Sequence, residues 1–368
     1  MKKFFFAVLA GMMALVAVAQ NGDFKLEASL DGFGKSVMLY LTDAKGDVND
    51  YGIKSVTDNR LDYSFNMDDV GYMIIVVNPS LSITIPAVPG EYVNLRGKVN
   101  DYVIEGSSLY KAYGEAMAGL QPFIDASLQF DFKKYCQNEM AGKSSEELFY
   151  LYQNHHQRLS RAITDAALSY IREHPNQDVS MMILNQMGNL SDLETVASIV
   201  DVSVRDGRMK PYLEARKEQV QKTGFSNPLL DKLAIDFLLN DVDGVPLSLR
   251  SLHGKWVLLN FWNTTCGNAV YQFSELKELY DKYRDYIEIV GIDCGDDKEA
   301  WTIAVKSRYN LPWKNVNNLC DGDDSSDLFT LYGVTGLPTY FLITPSGKVV
   351  MESYAAHDAK YIFELLFD

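Results

Sequence analysis

Cysteine has the clearest capacity for covalent chemistry in this sequence, and position singles out Cys266. It lies where the apolar run Trp256-Val257-Leu258-Leu259-Asn260-Phe261-Trp262 gives way, through Asn263-Thr264-Thr265, to apolar residues at helical spacing: Val270, Phe273, Leu276, Leu279 and Tyr283. A thiol at a strand-to-helix junction faces unpaired backbone N–H groups and the positive end of the helix dipole, which favour the thiolate. The thiolate is the attacking form in disulfide exchange, so the placement predicts a nucleophile at Cys266. Much later, Gly333-Val334-Thr335-Gly336-Leu337-Pro338-Thr339 leads into another apolar run. A proline at such a strand entry is compatible with a cis bond in a tight turn.

The elements around these residues read as a parallel sheet flanked by helices. After the Trp256 to Trp262 strand and the Val270 to Tyr283 helix come a buried strand at Ile287 to Ile292 and a helix around Lys298 to Arg308. A strand at Tyr340 to Ile343, a Pro345-Ser346-Gly347 turn, a strand at Lys348 to Met351 and a final helix complete the run. Strands alternating with helices give an α/β architecture whose active groups collect at the carboxyl ends of strands.

These segments resemble the thioredoxin-like superfamily, specifically its TlpA/ResA-like branch of exported thiol-disulfide oxidoreductases, also grouped with AhpC/TSA-type domains. The resemblance covers 228–368. It rests on Asp241-Val242-Asp243-Gly244, Leu247-Ser248-Leu249, Gly254-Lys255 with the strand through Trp262, Tyr332-Gly333-Val334, Leu337-Pro338-Thr339 and Thr344-Pro345-Ser346-Gly347-Lys348. It implies a thioredoxin fold with Pro338 cis beside Cys266. It also implies a substrate groove lined by Trp262, Thr265, Leu337 and Thr339, with Thr339 presenting backbone to an extended segment. No cofactor is implied. The sequence departs from the family where Trp-Cys-x-x-Cys is the rule, reading Thr265-Cys266-Gly267-Asn268-Ala269.

A second thiol normally displaces product from the mixed disulfide in an intramolecular step of high effective concentration. With alanine at 269, release needs another sulfur. An external thiol would give monothiol reduction, a thiol of the substrate would give isomerisation, and a remote cysteine of this chain would restore dithiol chemistry. Cys294 follows Ile292-Asp293 at a strand's carboxyl end, and Cys320 matches the end of a short strand that in the resembled family runs beside it. A Cys294 to Cys320 disulfide would require the two Cα atoms to approach within about 7 Å. Two further readings stand beside exchange at Cys266. One is a degenerate domain that binds or scaffolds without catalysis. The other is a one-cysteine peroxidase, which is disfavoured by Asn263 where such enzymes carry a hydroxyl residue.

The rest of the chain offers less chemistry. Period-two runs such as Phe24, Leu26, Ala28 and Val37, Leu39, Leu41, separated by turns, predict an antiparallel β module at 20–106. Helical spacing at Leu148, Leu151, Tyr152, His155, Leu159 and Ile163 predicts a helical region at 107–227, ahead of the thioredoxin-like domain at 228–368. Its default for Cys136 is a small buried hydrophobe. Asp68-Asp69 reads as solvated turn carboxylates, and adjacent His155 and His156 diverge by about 100° on a helix, so no metal site is expected. The sequence offers no zinc-like Cys or His spacing either.

With 49 acidic against 34 basic residues among 368, the formal charge of −15 argues against a nucleic-acid partner. The resemblance and exchange chemistry at Cys266 imply thiols and disulfides as partners. Lys2 and Lys3, an apolar stretch from Phe4 to Val18 and the small-residue ending Ala17-Val18-Ala19 read as a signal peptide over 1–19. No cysteine follows the cut, so a periplasmic or envelope protein without a lipid anchor is expected. Amino-terminal sequencing of the protein from an exporting host is expected to begin at Gln20, and recovery of an intact Met1 end would remove the export reading.

Overall fold

Alternating apolar residues become strands wherever one face meets a core. β1 (Asp23–Asp31) alternates exposed and buried positions throughout, turning Phe24, Leu26, Ala28 and Leu30 inward. This computed structural model describes residues 23–45, 47–79, 81–136, 142–223, 227–318 and 327–368. Residues 1–19, read above as a signal peptide, and Cys320, with the expected Cys294 to Cys320 pairing, lie outside the described residues. The chain divides into two units, Met1–Gln129 with His156–Gly224 and Phe130–His155 with Phe225–Asp368.

Among the described residues the first unit holds eight strands: β1, β2 (Ser36–Asp43), β3 (Val48–Ser55), β4 (Arg60–Asn66), β5 (Gly71–Asn78), β6 (Leu81–Ala87), β7 (Tyr92–Lys98) and β8 (Asp101–Gly106). They form two four-stranded sheets, ordered β4-β1-β7-β8 and β3-β2-β5-β6, whose buried residues share one apolar cluster. Among the described residues every pairing is antiparallel except β1 with β7, whose strands are far apart in sequence and run the same way. At Gly71 the strands approach so closely that an added Cβ would lie 1.8 Å from the Thr42 carbonyl oxygen, so only glycine fits.

The helical stretch comprises α1 (Ser108–Leu128), α2 (Phe132–Cys136), α3 (Ser145–Glu173), α4 (Val179–Met182), α5 (Leu190–Ile199), α6 (Val202–Arg205) and α7 (Lys210–Thr223). Its residues are divided between the units, the boundary falling inside α3 between His155 and His156. A capping box starts α3: the Ser144 backbone N–H donates to Glu147 Oε2 at 2.7 Å and the Glu147 N–H to Ser144 Oγ at 3.3 Å. Within the second unit the first turns of α3 are tied down by Trp256 Nε1 donating to Ser145 Oγ at 2.9 Å and by Phe149 packing edge-on against Trp256. His155 stacks on Phe130 at a centroid distance of 3.9 Å, the structural role its spacing suggested.

The second unit opens with a short hairpin, β9 (Leu238–Asn240) and β10 (Pro246–Ser248). Its main sheet comprises β11 (Trp256–Trp262), β12 (Ile287–Asp293), β13 (Lys314–Asn317), β14 (Thr339–Ile343) and β15 (Val349–Ser353). The order is β13-β12-β11-β14-β15, with the first three parallel and the last two antiparallel, the thioredoxin-like arrangement. Around it lie α8 (Gly267–Tyr283), α9 (Lys298–Ile303) with a π-helical turn at Ala304–Arg308, α10 (Leu328–Leu331) and α11 (Ala356–Phe367). All residues of β11 are buried, and the two-residue period sends Trp256, Leu258 and Trp262 into one core and Val257, Leu259 and Phe261 into another. Ala269, Phe273, Leu276, Leu279 and Tyr283 form the buried stripe of α8. Leu276→Ala is expected to cost about 2–5 kcal/mol through the cavity it leaves, measured by urea denaturation.

Candidate thiol site at the sheet end

Register alone brings the site together. In the antiparallel β11–β14 pair Phe261 lies opposite Thr339, so the loop leaving β11 meets the loop entering β14. In the parallel β11–β12 pair Trp262 lies opposite Asp293, so the loop leaving β12 arrives at the same end. Three chain segments therefore converge around Cys266.

Cys266 is the N-cap of α8 and is partly exposed. Its backbone N–H donates to Asn263 Oδ1 at 2.9 Å, closing the turn that starts the helix. Its side chain makes no capping hydrogen bond, so it leaves the first-turn amides of α8 uncapped. The sulfur donates instead to the Leu337 carbonyl oxygen at 3.3 Å, and the Leu337–Pro338 peptide is cis. That bond exists only while the sulfur carries its proton. Helix amides and the carbonyl thus act on opposite protonation forms of the same atom.

The residues expected around the sulfur occupy distinct places. Thr265 is exposed, and its hydroxyl bonds to Asn263 Oδ1 at 3.0 Å. Leu337 is half-buried and Pro338 buried, while Thr339 is fully buried with Oγ1 donating to the Gly336 carbonyl at 2.6 Å. Trp262 is fully buried and packs edge-on against Phe273, which makes it a support beneath the sulfur rather than a surface. Gly291 on β12 admits this packing, since a Cβ there would lie 2.4 Å from Asn315 Oδ1 and 3.2 Å from Trp262 Nε1. Ala269, one helical turn beyond Cys266, is fully buried in the same core as Trp262 and Tyr340. Cys294 packs against the other core, which separates its surroundings from those of Cys266. Among the described residues no group of three or more His, Cys, Asp or Glu is placed to hold a metal.

Sequence reasoning missed the carboxylates behind the thiol turn. Asp296 accepts from both the Thr264 backbone N–H, at 2.7 Å, and the Thr264 hydroxyl, at 2.8 Å, clamping the residue two before Cys266. Asp293 is fully buried; its Oδ2 accepts from the Asp296 N–H at 3.2 Å and from Asn317 Nδ2 at 3.0 Å, and its Oδ1 has no partner among the described residues. Burial first, then the hydrogen bond and charge of Asp296, push the Asp293 carboxyl up to about 9. Its place after Ile292, at the carboxyl end of a parallel strand, is the signal the sequence carries for it. Tyr340, buried with no hydroxyl partner among the described residues, is raised by burial first, then by the charges of Cys266 and Glu275.

Three comparisons bear on this arrangement. The AhpC/TSA family model matches residues 230–351. A thiol-disulfide oxidoreductase ResA from Bacillus thuringiensis subsp. konkukian is 34% identical over 124 residues, 33% of this chain and 68% of that protein. The Bacillus subtilis ResA is 36% identical over 118 residues, 32% of this chain and 63% of its own. A solved thiol-disulfide oxidoreductase from Bacteroides fragilis aligns at 28% identity and a TM-score of 0.34, covering 37% of this chain and all of its own.

Below about 9 the folded chain retains the Asp293 proton, whereas an unfolded aspartate releases it near about 3.9. The folded state therefore binds the extra proton between those values, and stability falls as pH rises across that window. Asp293→Asn is expected to flatten this fall, read as the change in urea midpoint from about pH 5 to about pH 8. An unaltered slope would deny Asp293 its proton.

Proposed function

Since this chain belongs to the TlpA/ResA-like family of thioredoxin-fold thiol-disulfide oxidoreductases, we propose that it performs thiol-disulfide exchange through Cys266 as a single nucleophile. The observation that carries this reading is a partly exposed sulfur at a helix N-cap, 3.3 Å from the Leu337 carbonyl, with alanine where the family's second cysteine stands. In the first step the Cys266 thiolate attacks one sulfur of a substrate disulfide. The substrate S–S bond breaks, a Cys266–substrate disulfide forms, and the departing sulfur leaves as a thiolate that takes a proton from water. In isomerisation a thiolate of the substrate attacks the substrate sulfur of the mixed disulfide, forming a new disulfide within the substrate and returning Cys266 as thiolate. In reduction a small-molecule thiolate attacks the Cys266 sulfur and releases the substrate thiolate, and a second small-molecule thiolate attacks the resulting adduct, leaving as the small-molecule disulfide and returning Cys266.

The residues of this chain supply position. Asp296 and Asn263 hold the Thr264–Cys266 turn, which sets Cys266 at the amino end of α8. Pro338 and the backbone of Leu337 and Thr339 shape the groove for an extended substrate segment. The Leu337 carbonyl holds the resting thiol, and ionisation of the sulfur dissolves that bond. The site belongs to an exported chain acting in the envelope, where disulfides persist. No helix among the described residues is long and apolar enough to cross a membrane.

Two variants test the mechanism. Cys266→Ser is expected to abolish mixed disulfides with a model disulfide peptide, resolved by non-reducing mass spectrometry, while circular dichroism stays unchanged. Persistence of those adducts would move the chemistry elsewhere, and absence of adducts in the unaltered protein would leave a binding or scaffold role. Ala269→Cys is expected to make turnover independent of external thiol concentration, because resolution becomes intramolecular, whereas the parent rate rises with added thiol.

A further inference from the structure

The first unit carries a cavity that plays no part in the thiol chemistry. Thr42 on β2, Tyr72 and Ile74 on β5 and Thr84 on β6 share one sheet face, because Thr42 lies opposite Tyr72 and Ile74 opposite Thr84. Along β5 the alternate residues Gly71, Met73 and Ile75 are buried, whereas Tyr72, Ile74 and Val76 are only half-buried. That second face is incompletely covered. Asn185, from the helical turn Leu184–Gln186, and Arg216 and Gln219, one turn apart on α7, complete a cavity of about 300 Å³ with these strand residues.

Arg216 is the unusual component. Its guanidinium is half-buried and bonds only to neutral oxygens: Nε and Nη2 donate to the Met187 carbonyl at 3.2 and 2.9 Å, Nη2 to the Asn185 carbonyl at 3.4 Å, and Nη1 to Gln219 Oε1 at 2.7 Å. Among the described residues no carboxylate lies within ion-pair distance of it. Arg208 in the same unit shows the contrast. Burial lowers the pKa of both, but Glu91 at 2.9 Å and Asp178 at 2.7 Å neutralise Arg208 and leave it raised, while Arg216 stays lowered. In a chain with fifteen more acidic than basic residues, none of the described ones is placed against this cation. A desolvated charge without a counterion is costly unless an anion arrives from outside.

The donors around the cavity define what would arrive. Four of the five guanidinium hydrogens are committed to the bonds above, leaving one on Nη1. Tyr72 hydroxyl donates to Asn185 Oδ1 at 3.1 Å, which leaves the Asn185 amide nitrogen to donate, and Thr84 Oγ1 has no partner among the described residues. Thr42 Oγ1 and the Tyr72 hydroxyl, both already donating, retain lone pairs to accept. The cavity therefore offers one charged donor and one amide donor for an oxyanion, then hydroxyls and an aromatic ring for a hydroxylated body.

We propose that this cavity is a binding site for a small hydroxylated anion, a sugar acid or sugar phosphate, whose charged group pairs with Arg216 and Asn185. The site stands independently of exchange at Cys266.

Isothermal titration of the full chain at constant ionic strength tests it with D-glucuronate, D-glucose 6-phosphate and D-glucose. Saturable heat is expected from one or both anions and not from glucose, with the stronger anion telling carboxylate from phosphate ester. Arg216→Gln is expected to weaken that binding by at least about tenfold. Arg216→Gln also removes the Met187 contacts, so Thr84→Val, which touches none of them, provides a second reading with an expected loss of about threefold or more. Glucose binding as well as the anions, no saturable heat from either anion, or full affinity in both variants would overturn the assignment.

Discussion

The convergence of three loops at one end of the second unit's sheet is the constraint on which the thiol site depends. Pairing of Phe261 with Thr339 and of Trp262 with Asp293 fixes which residues follow β11, precede β14 and follow β12. Cys266, Leu337 and Asp296 are thereby delivered to one place by backbone hydrogen bonds made elsewhere. A one-residue slip in either pairing would exchange the faces of β11 and send Trp262 into the wrong core. The same register that positions the sulfur also builds both hydrophobic cores, so site geometry and stability have a common origin.

At the sulfur two backbone features compete. The amides at the start of α8 attract negative charge, while the Leu337 carbonyl accepts the thiol proton. An incoming substrate segment that engages this loop would meet an oxygen already committed to the resting thiol. Behind them, Asp296 grips Thr264 through two hydrogen bonds and Asp293 sits buried beneath it as the neutral partner of a carboxyl pair. The turn is therefore held by charge-assisted bonds on its inner side and left open at Thr265 and Gly267 on its outer side. Ala269 is fully buried, its methyl group packed in the core that holds Trp262 and Tyr340.

The division of the chain into units follows burial rather than the order of secondary structure. Residues 130–155 are helical in sequence pattern, yet Phe132, Leu148 and Phe149 find their apolar partners in the core beneath Trp256. Helical periodicity says that a stripe must be covered but not by what. Likewise, period-two patterning in the first eight strands says that one face is buried without saying which strands pair, and the parallel β1–β7 pairing has no local signature.

The elements and the candidate sulfur at Cys266 are legible in the sequence alone. The buried strand through Trp262, the helix stripe from Phe273 to Tyr283, the proline before the next strand and the missing second cysteine are all local facts, legible because period, turn chemistry and residue type are written residue by residue. Relations across long separations come from the fold. The grip of Asp296 on Thr264, the raised proton affinity of Asp293, the retreat of Trp262 into the core and the unneutralised Arg216 each depend on groups distant in sequence. Desolvation and Coulomb interaction act through space, and one-dimensional patterns encode which faces are buried but not which charges those faces bring together.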